Sequence, residues 1–135
     1  MMSGTNPYQA YRQHSVNTAS PGELTLMLYD GCLKFISIAK NAIRENNIAE
    51  KNSNLKKAQN IIQELMVTLN MEYEISKQIM PLYDFVRRKL IEANVKNEIK
   101  ALEEAEEIVT EFRNTWKEVI KTSRRETYTT GGERV

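Results

Sequence analysis

Apolar residues recur at intervals of three and four along four stretches of this chain, which predicts four amphipathic helices. Short polar stretches separate them, and no segment alternates with the period of two that marks a strand. The fold class is therefore all-α, an antiparallel up-down four-helix bundle. Beyond the first helix, the repeating positions are Leu55, Ala58, Ile62, Leu65 and Leu69, then Ile75, Ile79, Leu82, Val86, Leu90 and Ala93, then Ile99, Leu102, Ala105, Val109, Phe112, Trp116 and Val119.

The first helix has the most distinct start in the sequence. Ser20 is suited to the N-cap, and Pro21 to the first helical position, where a missing N–H is tolerated. Glu23 then completes a capping box with Ser20. We expect this helix to begin at Pro21 and to end around Arg44 to Asn47, where apolar periodicity stops.

The first helix carries two apolar rows, about 100° apart around its axis. A single neighbouring helix covers only one such row. The helix is therefore either packed among several neighbours inside the bundle, or it leaves one row as a groove for the amphipathic helix of a partner. In the second case Tyr29, Ile36 and Ile43 would contact that partner. One row holds Leu24, Leu28, Gly31, Phe35, Ile38 and Ala42, and the other holds Tyr29, Cys32, Ile36, Ala39 and Ile43.

A proline interrupts the third stretch. The apolar phase continues across Pro81 without a slip, which favours one kinked helix over two separate ones, although a proline disfavours helical geometry at Met80. The fourth helix should begin near Asn97 and end in a cationic turn from Lys121 to Arg125.

The predicted organisation is an N-terminal segment, one bundle and a tail: residues 1–19, 20–125 and 126–135. The tail is expected to be disordered. In the N-terminal segment Tyr8 and Tyr11 lie three residues apart, so one helical turn places both rings on one side. This segment either docks on the bundle for part of the time or is a flexible end with two incidental tyrosines.

Composition and charge exclude several classes of function and location. A chain of 135 residues, 41% hydrophobic, is large enough for one core, and a net charge of +1 gives no field that would attract nucleic acid or anionic lipid. The start of the chain has no pattern of a secretion signal, and no stretch has the roughly 18 apolar residues of a membrane span. A lone Cys32 is typical of the reducing cytoplasm. We expect a soluble, cytoplasmic protein that does not insert into membranes.

The sequence holds little catalytic chemistry. Glu103, Glu107 and Glu111 form a ladder on the fourth helix, but a di-iron bundle also needs inward histidines, and the only histidine is His14. The same shortage removes histidine-based catalysis, and no glycine-rich phosphate loop is present. The sequence therefore predicts neither an enzyme nor a cofactor or metal site, and the glutamates are interpreted as a solvated face.

Four strings of residues resemble the flagellin-specific export chaperones of bacteria, the FliS family. The similarity extends over about residues 6 to 121, and the second string is long and specific. The strings are NPYQAY at 6–11, VNTASPGELTLMLYDGCLKF at 16–35, LYDFVRRKLIEAN at 82–94 and FRNTWK at 112–117.

The resemblance implies a cytoplasmic four-helix bundle that binds the C-terminal segment of flagellin, prevents its premature polymerisation and assists its delivery to the flagellar type III export gate. It also implies an N-terminal segment, here containing Tyr8 and Tyr11, that caps an apolar surface until flagellin displaces it. We expect a monomer without client, and contact with an export gate component in the loaded state. Pro81 departs from the family pattern. The alternative is a structural bundle that assembles with itself.

Overall fold

Four α-helices form the part of the chain that the computed structural model describes, residues 21–130, with side chains described from 22 to 122. No strand occurs in that range. This confirms the predicted all-α class. The helices are α1 (Pro21–Arg44), α2 (Ile48–Thr68), α3 (Glu74–Lys96) and α4 (Ile99–Thr130).

The helices form a four-cornered bundle. Helix α1 packs against α2 and α4, and α3 packs against the same two helices, so α1 and α3 lie on one diagonal. Short connectors make consecutive helices antiparallel. We call the end that holds the start of α1 and the α2–α3 connector the lower end. The upper end holds the α1–α2 and α3–α4 connectors.

Asparagines shape both connectors at the upper end. Asn46 adopts the left-handed conformation, with φ 57°, after the end of α1. The side chain of Asn47 then accepts a hydrogen bond from the backbone N–H of Glu50 at 3.1 Å and caps α2. Asn97, at φ 54°, terminates α3. Local residue chemistry thus fixes where these helices stop.

Most predicted boundaries are confirmed. Helix α1 begins at Pro21. Ser20 lies outside the described residues, so the capping box between Ser20 and Glu23 stays a prediction. Helix α3 is one helix with Pro81 inside it, as the uninterrupted phase indicated. Helix α4 continues to Thr130, beyond the last turn that we expected from Lys121 to Arg125. No proline or glycine interrupts that stretch before Gly131.

Both apolar rows of α1 are used inside the bundle. Tyr29, Cys32 and Ile36 belong to the central core, and Leu28 and Ala42 of the other row are also buried. Because α1 lies between α2 and α4, each row has a neighbouring helix to cover it. This confirms the interpretation of α1 as a bundle helix packed among several neighbours.

Candidate partner-binding surface

Three aromatic rings form a layer across the bundle near its lower end. The Tyr29 ring of α1 stacks on Phe112 of α4 with centroids 5.8 Å apart, and Tyr83 of α3 tilts against the same Phe112 at 5.2 Å. The hydroxyls of Tyr29 and Tyr83 are hydrogen-bonded at 2.6 Å. This bond spans the diagonal between α1 and α3, two helices whose backbones are not neighbours.

Both hydroxyls of this layer stay protonated. Burial, together with the neighbouring Tyr83 hydroxyl, raises the pKa of Tyr29 far above its usual value, and burial also raises the pKa of Tyr83. A buried hydroxyl without a partner is unfavourable, so each tyrosine satisfies the other. The layer therefore connects α1 to α3 through the lower half of the core.

A second contact fixes the start of α1 on α4. The indole Nε1 of Trp116 donates a hydrogen bond to the backbone carbonyl of Gly22 at 2.8 Å. Further along α1, Oδ1 of Asp30 lies 3.6 Å from Nε of Arg113 on α4. These contacts hold the start of α1 against α4.

Exposed apolar side chains flank the α2–α3 connector at the same end, and Leu82 lies further along α3. Val67 is 69% exposed and Tyr73 is 64% exposed, although both side chains are large and apolar or aromatic. A group of such residues at one end of a folded chain is typical of an interaction site. We call Val67, Met71, Tyr73, Ile75 and Leu82 the apolar end surface.

The exposure of Ile75 and Leu82 was not predicted from the sequence. We placed them in the same apolar phase as Val86, but in this half of α3 the buried positions are Ser76 and Tyr83. Ile75 and Leu82 are each one position earlier, and they point away from the core.

A signal for this exposure is present in the sequence. Residues seven apart lie on nearly the same side of a helix, and the row of Ile75 and Leu82 continues to Lys89. Lys89 forms a salt bridge with Glu104 of α4 at 3.2 Å, and this hydrogen bond raises its pKa. A row that ends in lysine belongs to the surface, here to the α3–α4 side of the bundle.

The candidate partner-binding residues of the sequence analysis fall in different places. Tyr29 is 3% exposed and Ile36 is 0% exposed, so a partner reaches either one only if the bundle opens. Ile43 is half-buried and packs against the core. Tyr8 and Tyr11 lie outside the described residues. Contact of these five residues with a partner stays a prediction.

The acidic face of α4 has the predicted surface character. Glu103, Glu107 and Glu111 are exposed to solvent, while Glu106 reaches Lys40 of α1 at 2.8 Å. Among residues 21–130, no group of histidine, cysteine and carboxylate side chains is arranged to hold a metal ion. None of the four described helices combines the length and apolar character needed to cross a membrane.

Comparison with known proteins gives a consistent picture. The family model described as flagellar protein FliS matches residues 4–123. A flagellar secretion chaperone FliS of Bacillus subtilis is 54% identical over 127 residues, which cover 94% of this chain and 96% of the relative. The Escherichia coli protein of the same name is 36% identical over 119 residues, covering 83% of this chain and 88% of the relative.

Structural comparison supports the fold independently. A solved structure titled "Crystal structure of flagellar chaperone from bacteria" superimposes with a TM-score of 0.71 over 86% of this chain and 96% of its own, at 18% sequence identity. That likeness shows the four-helix fold, whereas the family follows from the sequence matches. The chain therefore belongs to the FliS family of flagellar secretion chaperones, a family of chaperones and not of enzymes.

Proposed function

We propose that this protein binds the disordered C-terminal region of flagellin in the cytoplasm, prevents its premature polymerisation and assists its delivery to the flagellar type III export gate. Membership in the FliS family and the secretion chaperone names of its relatives support this function. The observation that carries the proposal is the apolar end surface, which a protein without a partner has little reason to expose.

The apolar end surface suits a client that folds on binding. Ile75 and Leu82 lie on one side of α3 with the half-buried Ile79 between them, so they form a row along the helix. Such a row accepts the apolar side of an amphipathic helix. Ordering a disordered client costs about 2–5 kcal/mol or more, which favours an extended interface over one small patch. The interface is therefore expected to continue beyond α3.

We further propose that residues 1–19, with Tyr8 and Tyr11, cap this surface when no client is bound. Helix α1 begins at the lower end, where Trp116 holds the Gly22 carbonyl. The preceding segment is thus attached next to the apolar end surface. A weakly held segment of this kind shields apolar side chains and is displaced by a client that binds more tightly.

Light scattering of the full chain, with and without a peptide of the flagellin C-terminal region, tests the proposed function. We expect a monomer that becomes a one-to-one complex. The alternative of a self-assembling bundle predicts a dimer that persists on micromolar dilution and ignores the peptide. That second result would contradict the chaperone function and assign the exposed apolar residues to contact between two copies.

A further inference from the structure

A methionine lies among the exposed side chains of the apolar end surface. Met71 is 44% exposed and belongs to the connector between α2 and α3. The other methionines with described side chains, Met27, Met66 and Met80, are half-buried, and Met66 packs against the core. Among residues 22–122, Met71 is therefore the methionine that a reagent in solution reaches most readily.

The backbone around Met71 is held independently of its side chain. Oδ1 of Asn70 accepts a hydrogen bond from the backbone N–H of Glu72 at 3.0 Å. The backbone carbonyl of Asn70 accepts a second one from the N–H of Tyr73 at 3.3 Å. Met71 also lies outside the packed core. A chemical change at its sulfur thus leaves both the connector and the core in place.

The thioether of Met71 is the most readily oxidised group of the apolar end surface, whose other side chains are hydrocarbons or, in Tyr73, a phenol. A sulfur lone pair attacks one oxygen of hydrogen peroxide, the O–O bond breaks, and the second oxygen leaves as water after it takes up a proton. The sulfur is oxidised to a sulfoxide and the peroxide is reduced. Sulfoxide reductases restore the thioether, with a dithiol as the reductant that becomes a disulfide.

We propose that Met71 is an oxidation site that controls client binding at the apolar end surface. The inference rests on the proposed function and adds regulation to the same surface. A sulfoxide oxygen is polar, and it loses its hydration when apolar side chains of a client cover the surface. The oxidised protein therefore stays folded but binds its client less tightly, and reduction of the sulfoxide restores binding.

Brief treatment of the full chain with hydrogen peroxide, which is then removed, tests the site. Peptide mass spectrometry should find the added oxygen on Met71 before the half-buried Met66, and urea titration should show an unchanged free energy of unfolding. Calorimetric titration with the flagellin C-terminal peptide should then show an affinity about tenfold weaker, because the sulfoxide is desolvated in the complex. Treatment with a methionine sulfoxide reductase and a dithiol should restore the affinity.

Three variants separate Met71 from the other methionines. Met71→Leu keeps an apolar side chain without sulfur, so its affinity should be close to that of the unmodified protein and should not respond to peroxide. Met71→Gln places a polar group at the same site and should weaken binding without any oxidant. Met80→Leu, at a half-buried position, is the matched control and should stay as sensitive to peroxide as the unmodified sequence.

The results distinguish failure of the inference from failure of the proposed function. Unchanged affinity after oxidation of Met71, or a loss that persists in Met71→Leu, would overturn the inference and leave the proposed function intact. Oxidation of Met66 or Met80 ahead of Met71 would also overturn it. An untreated protein that does not bind the flagellin peptide would overturn the proposed function and the inference together. A reversible loss that Met71→Leu abolishes supports both.

Discussion

The two ends of the bundle are built from different chemistry. At the lower end, the aromatic layer of Tyr29, Tyr83 and Phe112 closes the core, and apolar side chains outside it remain exposed. At the upper end, the ammonium of Lys51 joins α2 to the end of α3, and ion pairs join α4 to its neighbours. Both ends share the apolar core, and the contacts added to it are aromatic at the lower end and polar at the upper end.

The difference shows how one chain combines a stable fold with a surface that binds. The aromatic rings, together with Met66, Leu69 and Ile79 against the core, hold the lower end together without help from the exposed side chains around the α2–α3 connector. Residues such as Tyr73 and Leu82 are then free to contact a partner, because the core does not need them. The upper end has fewer exposed apolar residues near its connectors, and polar contacts close it instead.

The largest effect on stability is expected from a substitution in the core that both ends share. Ile36→Asp places a charge at a fully buried position of α1, so we expect a loss of about 4 kcal/mol or more in the free energy of unfolding, or no folding at all. Circular dichroism during urea titration measures it. Ser37→Asp, at the exposed neighbouring position, should change stability by less than about 0.5 kcal/mol. A folded Ile36→Asp variant of normal stability would contradict the placement of Ile36 in the core.

The next effect concerns the upper end. Lys51→Met keeps an apolar stem but removes the hydrogen bonds to Asn94 and Asn97, and we expect a loss of about 1.5–3 kcal/mol. Lys56→Met, in the neighbouring turn and exposed, is the control and should have little effect. Thermal unfolding compares the two variants. Equal stability of both would show that Lys51 does not hold this end.

A smaller effect concerns the lower end. Tyr83→Phe leaves the Tyr29 hydroxyl buried without its partner, which should cost about 1–2 kcal/mol. Replacing both tyrosines by phenylalanine removes both polar groups. The double variant should therefore lose less unfolding free energy than the two single variants lose together. A double-mutant cycle from urea unfolding measures the coupling. Strict additivity would mean that the two hydroxyls are not coupled.

The smallest effect on stability is expected from the N-terminal segment. Deletion of residues 1–15 should leave the bundle folded with an unchanged free energy of unfolding. If the segment caps the apolar end surface, affinity for the flagellin peptide should stay equal or increase, because no competing segment has to leave. Calorimetric titration measures that affinity. Clearly weaker binding would mean that the segment itself contacts the client.

The sequence predicted the helices well because their signals are local. Pro21 at the first turn of α1, the asparagines after Arg44 and the unbroken phase across Pro81 each depend on residues close in the chain. The last turn of α4 was expected from Lys121 to Arg125, whereas the helix continues to Thr130, because no proline or glycine before Gly131 stops it.

The partner-binding surface was harder to predict because exposure depends on neighbouring helices. Tyr29 and Ile36 carry an apolar pattern that suits either a core or a groove, and only the positions of α2 and α4 show that both are covered. Ile75 and Leu82 have an equally apolar pattern but point outward. The one local sign was Lys89, seven residues beyond Leu82 in the same row.

The most direct test compares the two ends of α3 in client binding. Calorimetric titration with the flagellin C-terminal peptide would use Leu82→Asp at the lower end and Val95→Asp, also exposed, at the upper end. We predict that Leu82→Asp weakens binding by about tenfold or more, because a carboxylate is desolvated at an apolar interface, while Val95→Asp leaves affinity unchanged. Equal affinity of both variants, or a loss confined to Val95→Asp, would contradict the assignment of the client to the apolar end surface.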